Sequence, residues 1–281
     1  MKFLFVGLSM KNFDDFLNPY YIRDSLSIES KLLVPVIQVH ENIASTNDTL
    51  LEKNCIYPNG HICLAENQTQ GRGVSGHNWV AAKRNICFSA AWNFNQPIKQ
   101  PHMLNYFIAI NLIKSLVAMG YKGIKAKWPN DLTHNGFKLA GTLIDLVHKK
   151  DSKVYLVVGV GLNVEISKED KKNINQNATD LLSVNSKNII DRNKIAAALI
   201  DAVVESLSTF ENCDYKKLSE DWNNIDYNYC QLKNILINKE RVKAKLMGIN
   251  ELGQLRCFYG EKTYLYNINE VKIIKDEFLC D

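Results

Sequence analysis

Residues 65–79 read AENQTQGRGVSGHNW and set three glycines, two glutamines and one arginine beside a single tryptophan. Gly71, Gly73 and Gly76 allow positive φ, so backbone N–H groups can converge on an anion, and Arg72 places a forked cation among them. That chemistry suits a phosphate-bearing ligand. A flexible turn would need only the glycines and would leave Gln68, Arg72 and Trp79 without a purpose. The stretch is not a Walker A loop, because no G-K-[ST] ends it. Nor is it a dinucleotide fingerprint: G-R-G-V-S-G fits G-x-G-x-x-G only by letter count, and HNWVAAKRNICFSAAW leads into a strand instead of a helix.

Three more stretches carry residue types that could act with it. In KAKWPNDLTHNGFKLAGTLIDL (125–146), Trp128 closes an apolar strand, Pro129 removes a backbone donor and stops it, and Asn130 and Asp131 sit on the turn. PND by itself is also what a tight turn looks like. Lys138 then opens the next strand with the small residues Ala140 and Gly141 behind it, which leaves room for a ligand beside a cation. A lysine near an aspartate, opposite an arginine-bearing glycine loop, can offset negative charge that develops at a phosphorus or carboxylate centre. In ENIASTNDTL (41–50), Ser45 and Asp48 have capping-box spacing, which a helix start explains without any function. In VGVGLNV (158–164), Gly159 and Gly161 interrupt an apolar strand that ends at Asn163; glycine there marks close approach by a ligand or another backbone.

To position these residues the sequence offers short β-branched and apolar runs at 32–40, 61–65, 85–92, 123–128, 140–148 and 153–164, which read as strands. The last two are joined by the polar KKDSK and predict a hairpin. KFLFVGLSM, at 2–10, reads as a first strand in preference to a signal-peptide core, being short, followed by charge and without a cleavage site. Two helices are expected. One, around 102–119, repeats Leu104, Phe107, Ile108, Leu112 and Leu116 and should lay its apolar stripe on the sheet. The other, about 192–211, follows Asp191 as cap and aligns Ile195, Leu199, Val203, Leu207 and Phe210. Two helices against six or more strands, several adjacent in sequence, predict an α+β fold, a mixed sheet with helices packed on it. Beyond residue 230, short strands split by turns predict a small closed barrel.

The 281 residues, 46% of them apolar, suffice for one large domain and a small one. The 34 basic and 30 acidic residues leave a net charge of +4 without a block of five like charges, too mild to argue for nucleic acid. Seven cysteines form no C-x-x-C pair and are odd in number, which fits neither a disulfide framework nor a zinc site and points to reduced thiols in a cytoplasm. No run approaches the roughly 20 apolar residues of a membrane span.

Taken in order, these stretches resemble the biotin protein ligase family over most of residues 35–275. Ser45-Thr46-Asn47, Gln68, the run Gly71 to Gly76 with Trp79, Lys127 to Asp131, Lys138 to Gly141 and Gly159 to Asn163 match its motifs at compatible spacing. The resemblance implies a catalytic domain of the class II synthetase and biotin ligase type over 35–230, then a small SH3-like barrel over 231–281, with residues 1–34 an extension of unassigned role. It implies that Ser45, Thr46, Asn47 and Gln68, with Gly71, Arg72, Lys138, Gly141 and Gly159, hold biotin. Arg72 would fold the loop over the activated carboxyl, and Lys138 would contact carboxylate and α-phosphate as the main catalyst. ATP and the adenylate fall to Gly73, Gly76, Trp79, Lys127, Asn130, Asp131, Asn163 and Arg192, with Asp131 a candidate Mg²⁺ ligand. A hydroxyl and an amide suit a buried ureido group, while the thioether ring and valeryl chain want apolar walls.

The implied reaction activates biotin with ATP as biotinoyl-5′-AMP, releases pyrophosphate, and passes biotin to a lysine of a biotin carboxyl carrier domain. Val74 departs from the family, standing where a second loop arginine is usual, and removes a cation from the loop that should order over the adenylate. The run before the core is shorter than the winged helix of repressor-type members, so no operator-DNA binding is expected. No membrane partner is expected either, and a homodimer is left open. A lipoate or octanoate ligase of the same fold is the rival enzyme, although its R-R-x-G-G-G signature is absent. A biotin-binding protein with weakened catalysis is the rival of a different class; Lys138 speaks against it.

Overall fold

The computed structural model describes residues 16–52, 57–80, 82, 84–148, 153–174, 177–186 and 190–274. The strand expected at 2–10 and the tip of the KKDSK turn lie outside the described residues. In chain order the elements are α1 (Pro19–Ser25), α2 (Ile28–Leu33), β1 (Ile37–Ile43), α3 (Thr46–Leu50), β2 (His61–Gln68), β3 (Ile86–Phe94), α4 (Pro101–Ala118), β4 (Ile124–Lys127), β5 (Asp131–His134), β6 (Phe137–His148), β7 (Val154–Leu162), α5 (Lys168–Asn173), α6 (Leu181–Val184), α7 (Arg192–Thr209), α8 (Tyr215–Ile225), β8 (Leu232–Ile237), β9 (Glu240–Ile249), β10 (Leu255–Tyr259), β11 (Lys262–Tyr266) and β12 (Val271–Ile273).

The first seven strands make one mixed sheet in the order β1-β2-β3-β7-β6-β5-β4. Only β1 and β2 run parallel; the remaining neighbours are antiparallel. The last five make a second, antiparallel sheet in the order β11-β10-β9-β8-β12. This is the expected α+β architecture, and the β6–β7 hairpin pairs Ala140 with Leu162 through to His148 with Val154. VYLVVGVGL of β7 lacks polar alternation because the strand lies in mid-sheet and is buried on both faces.

The two faces do different work. Phe88, Ala90, Val158, Val160 and Leu162 join α4 and α7 in the main core. On the opposite face Leu50 of α3 closes over Cys63, Ala91, Tyr155 and Val157, and the rest of that face carries the site.

Three expectations about elements need correction. The run 32–40 is not one strand: Ser27 accepts from the Ser30 N–H and caps α2, and the strand starts only at Ile37, after Pro35. α4 does not present a single stripe. Met103, Tyr106, Ile110 and Ile113 are buried along with Leu104 and Ile108, because α7 and α8 pack on the helix as well as β4, β5 and β6. Further helices accompany the two expected ones; α8, for instance, is capped by Asp214 and buries Leu218 and Trp222 one turn apart. No helix among the described residues is long and apolar enough to cross a membrane.

Candidate active site

Strand register builds a floor of small residues. Across β3, β7, β6 and β5, one row runs Cys87, Gly161, Gly141, Asp131, and the next runs Ser89, Gly159, Leu143. Above them opens a narrow cleft that communicates with solvent. The two strand glycines are required by close approach. A Cβ on Gly159 would lie 2.2 Å from Asn47 Oδ1, and one on Gly161 would lie 2.5 Å from the Trp79 indole. The approaching groups are side chains, not a backbone.

One end of the cleft is a buried amide and hydroxyl cluster at the start of α3. The Ser45 hydroxyl accepts from the Asp48 N–H and caps that helix, as its spacing suggested. This fixes Thr46 and Asn47, both buried. Gln68 Oε1 accepts from the Thr46 N–H at 2.8 Å and lies 3.1 Å from its hydroxyl. Ser89 Oγ donates to Asn47 Oδ1 at 2.5 Å and sits 2.7 Å from Thr46 Oγ1. A planar polar group entering here meets donors and acceptors held in place by one another.

The other end is cationic, and a one-residue bulge creates it. In the β5–β6 ladder Leu132 pairs with Ala140 but Thr133 pairs with Lys138, so Leu139 is an extra residue that drops into the core. In a regular strand Lys138 and Gly141 would face opposite ways. The bulge puts them together: a Cβ on Gly141 would meet Lys138 Nζ at 3.2 Å. The ammonium lies 2.7 Å from Asp131 Oδ1 and 5.4 Å from the Trp79 ring centroid. The Lys138 backbone is held by the Asn177 carbonyl and the Thr179 N–H, both at 2.9 Å.

Loop 69–80 forms the wall between these ends, and it is not an anion nest as expected. Only Gly76 has positive φ, and its side faces open space. Gly71 and Gly73 are needed for room, since Cβ atoms there would approach the Trp79 and His77 carbonyls at 2.7 and 3.1 Å. Arg72 Nε lies 2.8 Å from Asp48 and its NH2 lies 2.6 Å from Asp145, which also accepts from Asn47 Nδ2 at 2.8 Å. The guanidinium is therefore already neutralised by two carboxylates and clasps the loop to α3 and β6. Val74 lines the cleft and adds no charge.

Of the residues singled out from sequence, the cleft brings together Ser45, Thr46, Asn47 and Gln68 at one end, Asn130, Lys138 and Gly141 at the other, and Arg72, Gly73, Trp79 and Gly159 between. Gly71, Gly76, Lys127, Asp131, Asn163 and Arg192 are outside its lining. Asp131 still reaches it through Lys138. Lys127 pairs with Asp131 at the β4–β5 turn. Asn163 is buried and its amide is occupied: Nδ2 donates to the Lys138 and Thr179 carbonyls and Oδ1 accepts from Asn85. That side chain staples the β7 end to residues 138 and 179. Arg192 is 2% exposed and pairs with Glu66 at 2.8 Å, while Glu66 also accepts from the Leu17 N–H. Through Glu66 it ties Leu17 to the sheet.

Sequence reasoning missed Ser89, Thr142, Asp145 and Cys87. Leu143 and Asp145 follow Gly141 at period two on β6, a signal that could have found them. Nothing local marks Ser89, which matters because it pairs with Gly159. Burial pushes the Cys87 thiol up to about 11, so it is a neutral spacer and not a nucleophile near neutral pH. No group of three or more His, Cys, Asp or Glu able to hold a metal occurs among the described residues.

Residues 39–163 match the model of the Biotin/lipoate A/B protein ligase family. The chain is 30% identical over 252 residues to the biotin--[acetyl-CoA-carboxylase] ligase of Mycobacterium tuberculosis, covering 84% of this chain and 88% of that one. It is 28% identical over 250 residues to the bifunctional ligase/repressor BirA of Escherichia coli, with 89% and 75% covered. In structure it is similar to the biotin protein ligase of Aquifex aeolicus in complex with biotin and ATP, with a TM-score of 0.71, 25% identity, and coverage of 85% and 98%.

Proposed function

The chain belongs to the biotin protein ligase family, ATP-dependent ligases, and from that premise we propose that it makes biotinoyl-5′-AMP in this cleft and passes the biotinoyl group to a lysine of a biotin carboxyl carrier domain. The observation that supports this reading most is the polarity of the cleft, a rigid amide and hydroxyl cluster at one end and one ammonium at the other, with Trp79 and Val74 along the wall between them. The ureido ring fits Thr46, Asn47 and Gln68. The valeryl chain passes beside the Trp79 indole, which lines the cleft between the two ends, and the carboxylate arrives at Lys138.

A carboxylate oxygen attacks the α-phosphorus and pyrophosphate leaves. Negative charge collects between the two groups, where Lys138 offsets it more strongly than in the ground state. The loop clasped by Arg72 keeps water from the mixed anhydride. The carrier lysine then attacks the acyl carbon, forming an amide and releasing AMP. Asn130 and Asp131, at the cationic end, serve the nucleotide. Mg²⁺ would be held through the Asp131 carboxylate, which sits at the cationic end, and would supply charge neutralisation there. In this reading residues 35–230 are the catalytic unit and 231–281 the small barrel.

Pyrophosphate release with ATP and biotin, lipoate or octanoate offered separately is the test. Biotin-dependent release supports the reading. Release with lipoate or octanoate and none with biotin overturns it.

A further inference from the structure

We propose that Asn105 is a positioning residue for adenylation, a brace on α4 that holds the strand end carrying Asn130 and Asp131 and, through Asp131, aims Lys138. The proposal rests on the reading of the cleft given above. Asn105 does not line the cleft. Its Nδ2 donates to the Pro129 carbonyl at 2.7 Å, and its Oδ1 accepts from Thr142 Oγ1 at 2.5 Å. One side-chain amide thus grips both the turn that enters β5 and the residue next to Gly141 on β6.

Between those grips is a closed ring. The Thr142 N–H donates to the Asn130 carbonyl at 3.0 Å, and Asn130 Nδ2 returns to the Thr142 carbonyl at 2.7 Å. Asp131 comes next. It pairs with Gly141 across the ladder and holds Lys138 Nζ at 2.7 Å. A tilt at 129–130 is therefore passed directly to the carboxylate and the ammonium. Pro129 offers no N–H, so its carbonyl is the handle by which a neighbour can hold the turn. The packing of α4 does not itself call for an amide, since Leu104, Tyr106 and Ile108 around it are core residues. An Asn supplies a donor and an acceptor on one plane; Asp cannot donate to Pro129, and Leu can do neither.

The test compares Asn105→Asp, Asn105→Leu, Thr142→Ser and Thr142→Val by single-turnover adenylate formation, by calorimetric biotin affinity and by melting temperature. Both Asn105 variants should slow adenylate formation about 30- to 100-fold, the scale of an ångström-sized misplacement. Their biotin affinity should stay within about threefold, because the ureido end is held from β2 and β3. Thr142→Ser keeps the hydroxyl that Asn105 accepts from and should be slowed less than Thr142→Val. Thr142→Val should reproduce part of the loss, and the double variant Asn105→Leu/Thr142→Val should lose clearly less than the product of the two single losses, since both remove the Thr142–Asn105 link.

A folded Asn105→Asp within about threefold of the wild-type rate, less than about 0.7 kcal/mol of barrier, overturns the proposal. Multiplicative losses in the double variant overturn it too. Asn105→Asp is nearly isosteric and carries the comparison if Asn105→Leu does not fold. Should the wild type use lipoate or octanoate in place of biotin, the reading of the substrate fails, while the same ratios measured with that acid still decide the brace.

Discussion

Replacing Gly159 by alanine tests the close fit between the floor and the polar end of the cleft. The new Cβ would lie 2.2 Å from Asn47 Oδ1, 3.0 Å from its Cγ and 3.3 Å from its Nδ2. Restoring even 3.0 Å to the first contact means moving that amide by 0.8 Å, at the centre of a network with little slack. Asn47 would surrender its bonds to Ser89 at 2.5 Å and to the Asp145 carboxylate at 2.8 Å. One neutral and one charge-assisted bond together put the loss at about 2–4 kcal/mol. For a chain of this size that lowers the melting temperature by about 4–8 °C. The same shift moves Thr46 and Gln68, so biotin affinity should fall by about 10²-fold. Gly76→Ala is the control: nothing lies within 4 Å of its Cβ and φ is +75°, so it should cost about 1 kcal/mol of backbone strain and leave biotin binding unchanged. Calorimetry and a thermal melt read both variants. A Gly159→Ala protein that binds biotin within twofold of wild type and melts within one degree of it would refute the reasoning.

Lys138→Ala should slow adenylate formation by about 10²-fold or more, and Lys138→Arg should also be impaired, because the ammonium is wedged between Gly141, Asp131 and Trp79 and a forked guanidinium does not fit that space; a rate within threefold of wild type removes it from the mechanism. Arg192→Leu should cost about 3–5 kcal/mol in urea unfolding by stranding Glu66, with the KM for ATP unchanged in the folded variant; a raised KM with full stability would restore Arg192 to the nucleotide site. Burial lifts the Asp226 carboxyl from 3.8 to about 6, against a backbone hydrogen bond from Asn228. An acid with a raised folded pKa costs stability once ionised, so Asp226→Asn should be more stable than wild type above pH 6, by up to about 3 kcal/mol at pH 7.5, and the gap should close as the pH falls towards 4. Melts across that range decide the point, and a constant gap would exclude the carboxyl as its source.

Much of this protein was legible along the chain because the signals were local. Ser45 and Asp191 announce helices since an N-cap bonds to residues two or three positions on. Gly159 and Gly161 announce close approach since an all-apolar strand has no other reason to omit side chains there, and the ordered runs from Ser45 to Asn163 announce the family. What stayed hidden depends on which residues lie across from one another. The Leu139 bulge turns Lys138 to the face of Gly141, a two-against-one count that exists only when β5 and β6 are paired. Asp145 looks like a solvated strand charge until Arg72, 73 positions away, lies 2.6 Å from it. Arg192 matches a nucleotide-binding position by the family resemblance, yet its partner Glu66 is 126 residues earlier, and only the fold that brings the start of α7 to the end of β2 makes that buried pair. Spacing sets what a residue can do with its near neighbours. Register and packing bring distant charges within a few ångströms, and at that distance electrostatics decide whether a cation is a catalyst, a latch or a structural pin.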